Sequence, residues 1–145
     1  MAIFKRDGVD GDNHFPKKFV ELYADGAITA GDWVAVSNST TKGVLGTACK
    51  QAAAVGTNGN SGVFGIATET VATGALVRIQ TAGKFDTANV HADCDVGLGL
   101  CGPISSAGRA DLAVAATFQM CGIALSDDSA TTNVAAVMII DQGLY

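Results

Sequence analysis

Short apolar stretches, each bounded by Gly, Asn, Asp or Ser, recur along most of the chain. This pattern is typical of short β-strands and predicts an all-β fold, a small β-sandwich or β-barrel of antiparallel strands. Most of the stretches have five or six residues, which is about the usual length of a strand. The predicted strands lie at residues 19–24, 32–37, 43–48, 62–69, 75–80, 83–88, 111–115, 119–125 and 134–140.

Weak internal repeats favour strands over helices. GDWVAV at residues 31–36 is echoed by GALVRI at 74–79, and each is a turn that leads into a strand. AGKFD at 82–86 and AGRAD at 107–111 each place a glycine and a basic residue where we expect the tip of a hairpin. A helix over the Ala-rich segment 109–120 is the alternative, because Ala is the best helix former.

The first residues of the chain, 1–18, differ from the rest. Gly8, Gly11 and Pro16 interrupt this polar segment, so it predicts an extended N-terminal arm, followed by a single β-domain at 19–145. Aromatic side chains beside basic ones could dock on an acidic protein surface, for example by adding a strand to a sheet edge. The alternative is that this polar terminus is simply disordered. The candidate contact residues are Phe4, Lys5, Arg6, His14, Phe15, Lys17 and Lys18.

Composition limits the function classes. With 145 residues, 48% of them hydrophobic, the chain can bury the core of one domain. A net charge of −5 argues against nucleic-acid binding, which needs clustered Lys and Arg. The longest strongly apolar run, 134–140, is far shorter than the roughly 20 residues that span a bilayer, and MAIFKRDG lacks the apolar core of a signal peptide. We therefore expect no membrane segment and no secretion by that route.

The cysteines are irregularly spaced along the chain. Without an export signal, they are expected to be reduced and buried as small hydrophobic residues instead of forming a disulfide framework. The four residues are Cys49, Cys94, Cys101 and Cys121.

The segment GLGLCG at 97–102 has the glycine spacing of a dinucleotide-binding loop. Such a loop requires a helix after it, whereas Pro103 and a polar turn follow here. We interpret the segment as a strand in which Leu98 and Leu100 point to the core. Gly97 and Gly99 would then let a neighbouring backbone or subunit come close.

The residues with catalytic or metal-binding chemistry form no recognised motif. The group His91, Asp93, Cys94, Asp95 and Cys101 lacks the paired spacing of a zinc site, and we interpret it as a polar turn. No nucleophile elbow or HExxH helix is present in the sequence. We therefore expect no enzymatic activity, no metal and no cofactor. A small enzyme remains an alternative only if those residues form a metal site.

The chain resembles the small cement or decoration proteins of tailed-bacteriophage capsids. The resemblance covers roughly residues 24–140 and is carried by GVFGIATETVATGALVRIQTAGKFD at 62–86 together with the repeated GDWVAV unit. It implies a homotrimer on the outer face of an icosahedral shell that clamps neighbouring copies of the major capsid protein. Such a protein is made in the host cytoplasm and its arm becomes ordered on the shell. The alternative is a β-domain of a tail or fibre appendage that recognises a host surface.

Subunit packing in such a trimer has three candidate residues. Trp33 is the sole tryptophan and follows Asp32 at the start of a predicted strand, which suits an anchor in the core or at an interface. The other candidates are Gly97 and Gly99, which would let a second chain approach closely.

Overall fold

A computed structural model describes residues 16–37, 48–56, 62–113, 119–129 and 131–141. Within these ranges the chain is all-β, as the sequence predicts, and contains nine strands. No helix in the described part is long and apolar enough to cross a membrane. The strands are β1 (Lys18–Ala24), β2 (Trp33–Ser37), β3 (Ala48–Gln51), β4 (Val63–Ala67), β5 (Leu76–Asn89), β6 (Gly99–Cys101), β7 (Asp111–Leu112), β8 (Met120–Ala124) and β9 (Val134–Ile139).

The N-terminal strands form a closed five-stranded β-barrel in the order β1-β3-β2-β4-β5. It closes because β1 pairs with β3 on one side and with β5 on the other. The β1–β3 contact is parallel, through Tyr23 opposite Ala48 and Ala24 opposite Cys49, and the other pairings are antiparallel. Among the strands that the structure describes, each of the five is therefore paired on both sides, so closure leaves none of them with a free edge.

Strand β5 connects the barrel to a second sheet. Its first half pairs with β1 and β4, and its second half, from Gly83 onward, pairs with β9. The second sheet then continues from β9 to β8, β6 and β7. The two halves of the fold therefore share one continuous strand of 14 residues.

The predicted hairpin at 82–86 is wrong, because Gly83 and Lys84 lie inside β5 opposite Ile139 and Met138. The backbone bends here without reversing, with Gly83 at a φ of +89°. The buried amide of Gln80 donates to the carbonyls of Ala82 and Lys84, at 3.0 and 2.9 Å, on both sides of the bend. A strand can therefore pass from one sheet to the other where the sequence pattern suggests a turn.

Two hydrophobic clusters lie on opposite sides of the barrel wall. One fills the barrel and contains Ala24, Ile28, Val34, Cys49, Phe64, Ala67, Val77 and Ile79. The other lies between the outside of the wall and the second sheet. Its larger members are Trp33, Val63, Ile66, Val90, Leu100, Val137 and Ile139.

Five other predicted strands coincide with observed ones: 19–24, 32–37, 62–69, 119–125 and 134–140. The predicted strand 43–48 lies almost wholly outside the described residues, and β3 begins at its last residue. In the described parts of 109–120, Asp111–Leu112 form β7, Met120 begins β8 and Ala110 forms an isolated β-bridge with Val90, so these parts do not support the helix alternative. The segment AGRAD at 107–111 contains a turn at 107–108, as expected, and this turn leads into β7.

Gly65 allows β4 to face both clusters. Val63 and Ile66 contact the outer cluster while Phe64 and Ala67 contact the inner one, so the usual alternation is shifted at a bulge. A Cβ on Gly65 would lie 2.5 Å from the backbone oxygen of Gln80, which is too close for any side chain.

Gly65→Ala is therefore expected to lower the free energy of unfolding by about 2 kcal/mol, because the backbone must move to admit the methyl group. Urea denaturation followed by far-UV circular dichroism measures the loss. Gly99→Ala is the matched control, since its Cβ would meet only the flexible end of Met120. Equal losses in the two variants would contradict the argument.

Candidate functional site

The glycine segment 97–102 forms a turn followed by a short strand. Leu100 is fully buried, as expected, but Leu98 is 40% exposed, so the prediction that Leu98 points to the core is wrong. The reason is a turn at Gly97, where φ is +90°. The Leu98 amide donates a hydrogen bond to the Asp95 carbonyl across this turn. Regular alternation starts only after that turn. Downstream, bends, a turn and β7 follow.

The three candidates for subunit packing differ in accessibility. Trp33 is 0% exposed in the single chain, so it belongs to the core and is not available to a second subunit. Gly99 is already approached by its own chain, because a Cβ there would lie 2.8 Å from Cε of Met120. A Cβ on Gly97 would meet nothing within 4 Å, and its contact with another chain stays a prediction.

The outer side of the second sheet carries a set of exposed apolar side chains, here called the apolar sheet face. Ile123 lies at its centre, opposite Gly99 on β6 and Met138 on β9. Its members are Met120, Ile123 and Leu125, with exposed fractions of 39%, 37% and 38%, and the half-buried Met138. Val96 and Leu98, just before β6, are also exposed, at 61% and 40%.

Sequence reasoning did not identify the apolar sheet face, because the pattern within a strand does not show which of its two sides the rest of the fold covers. A usable signal was present in MCGIAL at 120–125, where apolar residues occupy both sides of the strand. Strands that are apolar on both sides are normally covered on both sides. An uncovered apolar side is therefore a candidate interaction surface.

Carboxylates border one end of the apolar sheet face. Asp127 accepts a hydrogen bond from the amide of Val96 at 2.9 Å, and the Asp128 amide donates to the Cys94 carbonyl at 2.8 Å. Burial, followed by the charges of Asp128, Asp95 and Asp127, raises the pKa of the Cys94 thiol to about 11. These three aspartates are here called the acidic rim.

A second exposed surface lies on the barrel wall, on the outward sides of β1 and β5. The guanidinium carbon of Arg78 lies 4.0 Å from the centre of the Phe19 ring, a cation–π contact. Tyr23 stands opposite Leu76, and both are exposed. This wall combines aromatic, aliphatic and charged groups, a mixture common in protein interfaces.

The carboxylate of Asp32 is the centre of a buried polar cluster. Its oxygens accept bonds from the Thr29 amide, the Gln51 side chain and the Asn89 side chain, each at 2.9 Å. Asp32 is 4% exposed, and these bonds join the start of β2 to the ends of β3 and β5. The donors occupy both oxygens, which gives the group a structural role.

Asp111 organises the loop before β7 in a similar way. It accepts bonds from the amides of Ile104 and Ser105 at 2.6 and 3.2 Å, and from the Ser105 hydroxyl at 3.3 Å. Nδ1 of His91 lies 3.8 Å from the same carboxylate. His91 is therefore placed beside Asp111. Among the described residues, no group of three or more His, Cys, Asp or Glu side chains is placed to hold a metal ion.

All four cysteines are free and buried, which confirms that prediction. Burial and then the charge of Asp25 raise the pKa of Cys49 to about 11. Burial and then the charge of Asp111 raise the pKa of Cys101 to about 11. Burial and then the charge of the Cys101 thiolate raise the pKa of Cys121 further still.

We expect these thiols to label slowly at about pH 8, because a pKa near 11 instead of 9.0 lowers the thiolate fraction roughly 100-fold. The folded state also holds the protons more tightly than the unfolded chain. Unfolding free energy is therefore highest below pH 9 and falls as the pH rises towards 11. The rate of thiol labelling with and without urea checks the first expectation. Urea titrations at several pH values between about 8 and 11 check the second. A Cys49→Ala/Cys94→Ala variant with an unchanged pH slope would contradict the second expectation.

The arm residues lie mostly beyond the described part of the chain. Phe4, Lys5, Arg6, His14 and Phe15 fall outside it, so their contacts stay predictions. Lys17 is exposed. Lys18 is the first residue of β1, and its ammonium group lies 2.9 Å from the Asp141 carboxylate, just after β9. Lys18, the last residue of the predicted arm, therefore lies beside the end of β9.

Comparison with known proteins identifies a fold neighbour. No protein-family model matches the chain, and no curated protein matches it. Among solved structures, the head fiber gp8.5 N base in bacteriophage phi29 is similar, with a TM-score of 0.59 and 15% sequence identity. The match covers 86% of this chain and 95% of that one. This chain therefore has the fold of a head-fiber base domain.

Proposed function

We propose that this protein is a non-enzymatic structural component of a phage virion, on the outer face of the capsid. The observation that carries the proposal is the fold shared with a head-fiber base domain over 86% of the chain. Because fold does not by itself fix function, surface and site chemistry must support the same conclusion.

The surfaces suit contact with other proteins better than catalysis. The apolar sheet face and the Phe19–Arg78 wall are exposed, whereas the carboxylates of Asp32 and Asp111 are occupied by bonds within the fold. A capsid lattice presents many copies of its major capsid protein, so modest contacts add up through avidity. In this proposal the protein binds as a homotrimer, clamps neighbouring capsid proteins, uses its N-terminal arm for attachment and needs no cofactor.

Binding to shells that lack this protein tests the proposal. We expect the full chain to sediment with shells, and a chain without residues 1–15 to bind much more weakly while keeping its circular dichroism spectrum. Analytical ultracentrifugation of the free protein should give a trimer. A monomer that fails to bind shells at micromolar concentration would overturn the proposal.

A second candidate is the base domain of a fibre that recognises a host surface. The fold shared with a head-fiber base domain supports this candidate as well as the first. It predicts that the protein binds host cells or their surface glycans, and that shells are bound only where a fibre is anchored. Cell-binding measurements with labelled protein, beside the shell assay, separate the two candidates.

A further inference from the structure

We propose that the apolar sheet face binds a second copy of this chain, which covers it with its Phe19–Arg78 wall. That wall is the exposed outward side of β1 and of the first half of β5, where Tyr23 stands beside Leu76. The inference deepens the homotrimer of the proposed function and rests on that self-association, since it names the two surfaces that meet. A structural repeat within the chain carries it.

The same five-stranded unit occurs twice in the chain. The first unit is the barrel, at residues 18–80, and the second unit is residues 83–139. The second unit runs from the second half of β5 through β9, β8 and β6 to β7, which repeats the barrel order β1-β5-β4-β2-β3. A parallel bridge between Val90 and Ala110 joins its first and last strands, as the parallel β1–β3 pairing closes the barrel. The second sheet therefore has the topology of a second barrel.

The strand registers of the two units also agree. A bulge follows Val34 where β2 pairs with β4, and a bulge follows Leu100 where β6 pairs with β8. The residue opposite is a glycine in both units, Gly65 in the first and Gly122 in the second. Each described strand residue of one unit therefore has an equivalent in the other.

The outward side of β2 and β4 is covered within the chain, whereas its equivalent in the second unit is not. In the first unit these positions are buried against the second unit, and they pair across the strands as Trp33–Ile66 and Ala35–Val63. The equivalent pairs are Gly99–Ile123 and Cys101–Met120. Ile123 and Met120 are exposed members of the apolar sheet face. The face is therefore the second unit's version of a surface that the first unit buries.

The second unit covers the first with the end of β5. The Asn89 side chain donates to the Asp32 carboxylate at 2.9 Å. Asn89 lies opposite Val134 on β9. Tyr23 holds the equivalent position in the first unit, opposite Leu76. The surface of a second copy that would cover the apolar sheet face in the same way is therefore the Phe19–Arg78 wall.

The side chains at these equivalent positions match the chemistry of each contact. In each unit a glycine with a φ of +90° precedes the strand, followed by Asp32 in the first unit and Leu98 in the second. Asp32 is buried and bound to Asn89, whereas Leu98 and Tyr23 are both 40% exposed. A polar pair within the chain thus corresponds to an apolar pair between copies, whose contact would remove apolar surface from water.

This contact is heterologous, because the apolar sheet face of one copy meets the wall of the next. Such contacts join copies head to tail and leave no free surface only when they close into a ring. A homotrimer built in this way is a closed ring.

Disulfide formation between copies of the full chain tests the contact. The test variant carries Tyr23→Cys and Leu98→Cys, the equivalents of the bonded Asn89 and Asp32. The matched control carries Tyr23→Cys and Asp86→Cys, since Asp86 is 67% exposed on β5, which β9 and β8 separate from β6. The native cysteines are buried and do not compete.

We expect the test variant to form disulfide-linked copies roughly tenfold faster than the control, because docking raises the effective concentration. Adding Ile123→Glu should remove most of this difference. Equal rates in the test variant and the control would overturn the proposal. Linked copies of a chain with only one of the two substitutions would also overturn it, because two walls or two faces would then meet.

Analytical ultracentrifugation of the unmodified protein separates this inference from the proposed function. A trimer whose test variant does not link would overturn these surfaces and leave the homotrimer standing, whereas a monomer would overturn both. No shell is present, so a failure to bind shells would overturn the capsid proposal without affecting the rate of linking.

Discussion

Trp33→Ala is expected to lower the free energy of unfolding by about 4 kcal/mol, the usual cost of removing a large buried aromatic side chain. The indole is 0% exposed and its Nε1 donates to the Asn89 carbonyl at 3.0 Å. On the other side it packs against the backbone of β8, since a Cβ on Gly122 would lie 3.0 Å from its ring. The cavity would therefore open between the barrel and the second sheet.

Urea denaturation followed by far-UV circular dichroism measures this loss, because the variant has no tryptophan fluorescence. Leu76→Ala is the control, since Leu76 is 48% exposed on the barrel wall and should change stability by less than about 0.5 kcal/mol. If Trp33→Ala matched that control, Trp33 would not join the two halves of the fold.

The strand pattern of the sequence predicted the all-β fold because short apolar stretches of strand length end at polar turns. It failed where long-range contacts decide the local structure. At Gly83 the buried amide of Gln80 and the partner strand β9 keep the chain extended through a segment with turn composition. A short window of sequence does not contain either contact.

The candidate surfaces were only partly predictable for a similar reason. Burial of Trp33 follows from its size and position, but its choice of core over interface depends on the second sheet that covers it. The exposure of Leu98 depends on the turn at Gly97. The buried role of Asp32 depends on Gln51 and Asn89, which lie 19 and 57 residues away in the chain.

Asp32→Ala is expected to cost about 3 kcal/mol of unfolding free energy, because it leaves buried donors without an acceptor. Three donors lose their partner: the Thr29 amide, the Gln51 side chain and the Asn89 side chain. Asp32→Asn should cost less than Asp32→Ala, since it keeps one acceptor oxygen and the same volume. Asp86→Ala is the control, because that side chain is 67% exposed and its ion pair with Lys84 contributes little.

The same substitution also has a local signature that a general loss of stability does not produce. The Trp33 amide donates to the Gly108 carbonyl at 3.0 Å and the Asn89 amide donates to the Gly31 carbonyl at 3.0 Å, both around the Asp32 cluster. Native-state hydrogen exchange should therefore quicken at these two amides more than at Ile79, inside the barrel. If exchange quickened equally at all three, the Asp32 cluster would stabilise the whole fold instead of the junction between barrel and second sheet.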